Sequence, residues 1–183
     1  MRIAQIRSMD ISNGPGIGVS LFTQGCPIRC EGCHNSSIWD PKGGESFSHV
    51  KHGEKILEML NNKYVTRFSI LGGEPIIPEN VTDLMELVLA AKAYVPDIKV
   101  WLYSGYTLEQ LTKWVKAPND KFDAFERSDL GGLLSNIDVL VDGPFIQEQK
   151  DIALKFKGSS NQRIIDMRAT DWWNSGKVVE LDF

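Results

Sequence analysis

The sequence lacks any long apolar stretch. No hydrophobic run approaches the ~20 residues that a membrane-spanning helix needs. The first residues also lack the apolar segment of a secretory signal peptide. These absences argue against a membrane protein and against a secreted one, and they predict a soluble protein of the cytoplasm.

An excess of basic residues is missing as well. Lysine and arginine together number 20, against 24 aspartates and glutamates, which gives a net charge of -4. Proteins that bind nucleic acid normally present a basic patch to the phosphates. The composition therefore argues against nucleic acid as the main partner.

Cysteine is scarce, because the 183 residues include only three. This odd number does not suit the disulfide framework of a secreted protein. A chain of this length buries enough surface on folding to be stable without disulfides, and 42% of its residues are hydrophobic, as is ordinary for a globular protein. The simplest organisation is a single domain that spans residues 1–183.

Strand-like and helix-like segments alternate along the chain, and residues 116–135 look like an excursion inserted between a helix and a strand. Such alternation predicts an α/β fold with a mostly parallel sheet. A complete eight-fold barrel needs about 250 residues, so a partial barrel or an open curved sheet fits this length better. The predicted strands cover residues 17–22, 66–71, 98–103 and 137–141, and the predicted helices run from Ser46 or Ser48 to about 60, from 81 to 93 and from 107 to 115.

The three cysteines lie within eight residues of one another, as Cys26, Cys30 and Cys33. Three thiolates fill three corners of a cubane iron–sulfur cluster, where a structural cluster uses four. One iron then stays open to a small molecule, by the same logic that separates catalytic from structural zinc. The spacing favours a catalytic metal centre.

Three other interpretations of the cysteine loop stay open. The spacing also suits one face of a short helix, although Gly32 and the shortness of the segment disfavour a helix. A zinc site would add His34, but His34 directly follows Cys33, and zinc motifs normally bring their ligands in two separated pairs. A disulfide between two of the cysteines is disfavoured in a cytosolic protein.

The cysteine loop resembles that of the radical S-adenosylmethionine enzymes. The longer run from Asn13 to Trp39 is similar to the activases of glycyl-radical enzymes, and segments 140–145 and 158–163 resemble the activating proteins of anaerobic ribonucleoside-triphosphate reductases. The resemblance covers most of the chain apart from 116–135. It implies a partial barrel, with a 4Fe-4S cluster and S-adenosyl-L-methionine as cofactors.

The resemblance also implies roles for particular residues. Thiolates would hold the metal, the glycines and glutamate after the second predicted strand would take the methionine amino group, and the residues around the last cysteine would hold the adenine end. In this sequence the metal ligands are Cys26, Cys30 and Cys33, and the cofactor-binding residues are Gly32, Cys33, His34, Gly72, Gly73 and Glu74.

Three further positions qualify this assignment. Asp142, at the end of a buried strand, could bond to the ribose hydroxyls or could equally cap its own turn. Gly32 stands where many radical S-adenosylmethionine enzymes carry an aromatic residue, so His34 is expected to supply the flat surface. Gly18 stands where related activases often carry arginine.

The function implied by the resemblance is activation of the large catalytic subunit of an anaerobic ribonucleoside-triphosphate reductase. The activase would cleave S-adenosylmethionine reductively and so generate a glycyl radical on that subunit, with electrons from a donor such as a flavodoxin. No acid–base residue is required for this chemistry. The alternatives are an activase of the formate-lyase type, a small radical enzyme acting on a pterin-like molecule and, in a different class, a zinc-binding interaction module.

Overall fold

One mixed sheet of seven strands runs through the protein and is accompanied by four helices. The computed structural model describes residues 1–183. The strands are β1 (Arg2–Asp10), β2 (Ile17–Thr23), β3 (Glu45–Ser46), β4 (Val65–Gly72), β5 (Lys99–Tyr103), β6 (Val139–Asp142) and β7 (Arg163–Asp166), and the helices are α1 (Glu54–Leu60), α2 (Pro78–Tyr94), α3 (Leu108–Lys116) and α4 (Ala124–Asn136).

The strand order is β3-β1-β2-β4-β5-β6-β7. The four middle strands β2, β4, β5 and β6 are parallel to one another, whereas β1, β3 and β7 pair antiparallel at the two sides. This topology confirms an α/β fold with a parallel middle. It does not confirm a barrel.

All four helices contribute apolar side chains to one large core against one face of the sheet. Alternate residues of the middle strands, such as Val19, Phe68, Val100 and Leu140, point into this core and are fully buried. The helices therefore lie together on one side of the sheet. The carboxyl ends of the parallel strands stay free to form a site, as is usual in α/β folds.

The opposite face of the sheet carries a smaller apolar cluster around Trp101 and Val141. Phe156 and Leu181, from the C-terminal part of the chain, pack against this cluster. The same face also carries the buried, charged side chain of Arg67. This face therefore mixes apolar and polar groups, and loops rather than helices cover it.

The predicted helices and parallel strands are all present, with most ends shifted by three residues or fewer. The exception is the first helix, whose predicted start at Ser46 or Ser48 is occupied by a π-helical turn, His49–Gly53, that leads into α1 at Glu54. Thr107 caps α3 in a capping box with Gln110. The hydroxyl of Ser48 accepts from the backbone N–H of Lys51 at the start of the helical turn that leads into α1. Both side chains therefore bond backbone N–H groups that would otherwise lack a partner at the start of a helical segment.

The segment 116–135 is more regular than the sequence predicts. Most of it forms α4, and Asp123 caps this helix in a capping box with Glu126. Only 117–123 is an irregular connection. The sequence did not predict the antiparallel strands β1, β3 and β7 either.

None of the helices combines the length and the hydropathy that crossing a bilayer requires.

Candidate metal-cluster site

The cysteine loop leaves the sheet at the carboxyl end of β2. Its first residues are tied down by backbone hydrogen bonds, from Gly25 to the carbonyl of Ile38 at 2.8 Å and from Cys26 to that of Trp39 at 3.1 Å. The loop therefore closes back on itself after a short helical turn, Ser36–Ile38. This closure fixes both ends of the segment that carries the three thiols.

All three cysteines open into one cavity of about 160 Å³, here called the cluster cavity. Each thiol is free and only partly buried. The remaining walls come from the segments that follow β2, β4, β5 and β6. Among the lining residues are Ile28, Asn35, Trp39, Gly72, Gly73, Glu74, Tyr103, Ser104, Gly105, Val141, Gly143, Phe145 and Gln162.

The donor set fits an iron–sulfur cluster. No three His, Cys, Asp or Glu side chains converge closely enough to hold a single metal ion. A cubane cluster makes a different demand, because each thiolate binds a different iron. Three separate thiols around one shared cavity, with no fourth cysteine in the chain, meet that demand.

Burial changes the pKa of the Cys26 and Cys30 thiols. Burial raises the pKa of both, and backbone N–H groups directed at the sulfurs offset only part of the rise. Without metal these cysteines are therefore protonated at neutral pH. Metal binding would release the protons, which couples occupancy of the site to pH.

Gly72 and Gly73 let the end of β4 approach the cysteine loop closely. A Cβ on Gly73 would overlap the carbonyl oxygen of Gly25, and the φ of Gly72 is +115°, a value that favours glycine. Backbone hydrogen bonds follow from this approach, from Gly73 to Thr23 at 2.9 Å and from Glu74 to Gly25 at 2.8 Å. The glycine pair thus fastens the cysteine loop to the sheet.

Glu74 is fully buried and still lines the cluster cavity. Its carboxylate accepts hydrogen bonds from the N–H of Ile76, the hydroxyl of Ser104 and the N–H of Gly105, each at 2.8 Å. Burial raises its pKa to about 7 despite these three bonds. A carboxylate has about four acceptor positions, so one remains for a ligand's donor.

Gly32 and His34 are exposed, and neither lines the cluster cavity. Gly32 has a φ of +69°, and a Cβ there would overlap the carboxamide of Gln147. The space of a side chain at position 32 is therefore filled by Gln147, from the segment after β6.

Asp142 is placed away from the cluster cavity. Val139 and Val141 face the loop-covered side of the sheet, so Asp142 points to the helix side by strand alternation. Its carboxylate accepts from the backbone N–H of Leu108, the first residue of α3, at 2.7 Å and is bonded twice by Arg163. The expected contact with ribose is not supported, because both oxygens hold protein groups together.

Several lining residues were missed by sequence reasoning. Tyr103 lines the cavity, and its buried hydroxyl has no hydrogen-bond partner. Gln162 reaches the cavity from the segment before β7, where its side chain donates to the carbonyl of Gly143 and accepts from Gly158. Position at a strand end was the available signal for Tyr103. Ser104 and Gly105, which follow β5, also line this cavity, whereas the next residue, Tyr106, does not.

Comparison with known proteins places this geometry in context. A family model described as a 4Fe-4S single cluster domain matches residues 12–165. The chain is 36% identical over 165 residues to a protein of Vibrio cholerae, covering 90% of this chain and 97% of the relative. It is 35% identical over 170 residues to one of Escherichia coli K12, covering 92% and 100%. It is 31% identical to one of Enterobacteria phage T4 over the full length of both. Each relative bears the name anaerobic ribonucleoside-triphosphate reductase-activating protein.

Proposed function

The chain belongs to the family of anaerobic ribonucleoside-triphosphate reductase-activating proteins, and from that premise we propose that it installs a glycyl radical in such a reductase. The observation that carries the proposal is the set of three thiols, without a fourth, around one cavity. Cys26, Cys30 and Cys33 would hold three irons of a 4Fe-4S cluster and leave one open.

When bound at these thiolates, the cluster would supply the one electron that reductive cleavage of S-adenosyl-L-methionine needs, with methionine and a 5′-deoxyadenosyl radical as the products. The protein's own residues orient the reactants and exclude water. A hydrogen atom taken from a glycine Cα of the reductase would then give 5′-deoxyadenosine and the glycyl radical. No side chain of this chain has to gain or lose a proton.

Glu74 is the residue that we assign to the amino group of the cofactor. Glu74 lines the cluster cavity and keeps one acceptor position, and an ammonium group is the donor that suits a carboxylate. Gly72 and Gly73 act by bringing Glu74 against the cysteine loop. Gly32, Cys33 and His34 are proposed for the adenine end, with Gln147 beside them.

The reductase's large subunit is the proposed protein substrate. The cluster cavity is small, so there is little room for a second small substrate beside the cofactor. We propose that the partner covers the exposed cysteine loop when its glycine enters. A one-electron donor such as a flavodoxin would reduce the cluster beforehand.

We propose in addition that the chain forms one cytoplasmic domain and that its sheet curves as a partial barrel. The packing of all four helices on one face of the sheet favours such a curve. It leaves the opposite, loop-covered face on the concave side.

The test is activation in vitro without oxygen. Reconstituted protein is reduced with dithionite and mixed with S-adenosylmethionine and the large reductase subunit, and the glycyl radical is followed by electron paramagnetic resonance. The radical is expected with the native chain and not with Cys30→Ala. Cofactor cleavage without a radical on the reductase would point to a different substrate, and absence of iron would overturn the proposal.

A further inference from the structure

A second, larger cavity of about 570 Å³ lies on the other side of the cysteine loop. It shares Cys26 and Trp39 with the cluster cavity, so these two residues form the partition between them. The second cavity is bounded elsewhere by the start of α2 and by the loop before β3. A partner bound at the second cavity would therefore approach the cluster site from the side of Cys26, outside the cluster cavity.

The second cavity is cationic although the chain as a whole carries a net charge of -4. Arg2, Arg29 and Lys121 line it, against a single carboxylate, that of Glu79. Arg2 donates only to the neutral groups of Gly43, Gly44 and Ser46, so its charge is not neutralised. A ligand or partner for this surface would be anionic.

Lys121 is a rigidly held charge. Its ammonium donates to the hydroxyl of Tyr106 at 2.6 Å and lies 3.8 Å and 4.3 Å from the ring centres of Tyr106 and Trp114. The connection 117–123, which carries Lys121, thus brings a fixed positive charge to the cavity wall. Lys121 belongs to segment 116–135, which lies outside the family resemblance, so its charge gives part of that segment a role.

Arg29 is the most exposed cation of the set and lies in the cysteine loop itself. Its φ is +52°, a left-handed conformation that glycine adopts without steric cost. Its guanidinium takes part in none of the protein's ion pairs. The charge of Arg29 is therefore exposed, has no internal counter-charge and is available to an anionic partner.

We propose that this cationic cavity is the docking surface for an acidic one-electron carrier protein, with Arg29 as its main contact. The inference rests on the proposed function, since only a redox cluster needs such a donor. The carrier's reduced cofactor loses one electron and the oxidised cluster gains it, with no bond made or broken. Entry beside Cys26 leaves the cluster cavity free for S-adenosylmethionine during the transfer.

The experiment is a calorimetric titration of the reconstituted protein with an oxidised acidic flavodoxin. Arg29→Glu is expected to weaken binding about tenfold at low salt, since reversal of a rim charge acts on attraction and steering. Arg29→Lys, which keeps the charge, is expected to stay within about twofold of the native affinity. The gap between native protein and Arg29→Glu should shrink at about 0.5 M salt, where charges are screened.

Lys63→Glu is the matched control, because it makes the same charge change at an exposed residue just before β4, at the opposite end of that strand from the cysteine loop. It should bind flavodoxin like the native chain. If Arg29→Glu does not retain iron, Lys121→Gln is titrated in its place, with about threefold weakening expected from the loss of one charge.

Equal flavodoxin affinity of native protein and charge variant overturns the inference. It is also overturned if Arg29→Glu loses affinity for the reductase subunit and not for flavodoxin, since the cavity would then serve the reductase. Failure of the proposed function gives a different result. Dithionite-reduced native protein would then leave S-adenosylmethionine uncleaved, while the flavodoxin titrations would be unaffected.

Discussion

The guanidinium of Arg67 lies directly over Gly18, so that a Cβ on Gly18 would come within 2.7 Å of Nη2 of Arg67. Arg67 is fully buried, and it donates to the carbonyls of Asp10 and Pro15 and to the hydroxyl of Ser69. Related activases often carry arginine at the position of Gly18. Here a guanidinium reaches Gly18 from the neighbouring strand β4, where Arg67 is its register partner.

The first prediction concerns this contact. Gly18→Ala should destabilise the protein by about 1–3 kcal/mol, because the added methyl overpacks the site and displaces a fully bonded guanidinium. Urea unfolding measures the change. Gly53→Ala is the control, since a Cβ there meets nothing closer than 3.8 Å in a helical segment, and its effect should stay within ~1 kcal/mol. Equal effects of the two substitutions would contradict the packing.

The second prediction concerns the close approach of Gly73 to the cysteine loop. A Cβ on Gly73 overlaps the backbone of Gly25, which cannot move without shifting Cys26. Gly73→Ala should therefore lower the iron and sulfide content of anaerobically reconstituted protein, while Gly53→Ala should load normally. Full iron content in Gly73→Ala would show that the approach of β4 does not set the geometry of the cysteine loop.

The third prediction tests the place of Asp142. Asp142→Asn should lower the free energy of unfolding by about 2 kcal/mol, because it removes the buried charge that Arg163 and the N–H of Leu108 bond, while Arg163 keeps its ion pair with Glu109. Affinity for S-adenosylmethionine, measured by equilibrium dialysis on the loaded protein, should change by less than about twofold. Asp97→Asn, at an exposed aspartate, serves as the control for stability. A large loss of cofactor affinity with little loss of stability would restore the ribose contact.

The fourth prediction is a pH dependence. Burial would raise the pKa of Asp138, but hydrogen bonds from Lys92, from the N–H of Val100 and from Arg168 outweigh it, and the pKa is lowered. A lowered carboxyl pKa adds stability above the unfolded-state value, and that stability disappears as pH falls through the folded-state value.

Asp138→Asn should therefore cost about 2 kcal/mol at pH 7 and progressively less below about pH 4. Urea unfolding of the native protein and of Asp138→Asn, at pH 7 and below about pH 4, measures this difference in the free energy of unfolding. A difference that stays constant with pH would mean that the Asp138 charge contributes nothing.

The parallel middle of the sheet could be predicted because its strands are short, apolar and β-branched, as strands buried on both faces are. Strand β1 escaped because its alternation is broken. Its pairing with β2 shifts register twice, between Ile3 and Gln5 and between Arg7 and Asp10. A strand whose alternation of buried and exposed residues is interrupted at a bulge is hard to recognise from the sequence.

Helix α4 was missed for a different reason. Gly131 and Gly132 lie in its interior and lower its helix propensity, while they allow close packing on Val115 and Met85. The capping box of Asp123 and Glu126 was nevertheless readable in the sequence.

The cysteine loop could be recognised because its three metal-binding side chains are neighbours in sequence. The rest of the site is assembled by long-range contacts. Tyr103, Phe145 and Gln162 lie far apart along the chain and meet only at the carboxyl ends of β5 and β6. The position of Asp142, in contrast, could have been predicted from the sequence. Side chains alternate between the two faces along a strand, so the residue after Val141 lies on the helix side of the sheet.

The short β3 has a further consequence for how the protein behaves when crowded. It is two residues long, and at the other side of the sheet β7 is shielded by hydrogen bonds to Val179 and from Leu181. On the β3 side only Arg2 and Ile3 of β1 are paired, so the rest of β1 is an open edge, and its two register shifts make that edge irregular. A straight foreign strand fits such a bent border poorly, which opposes edge-to-edge polymerisation into amyloid-like assemblies.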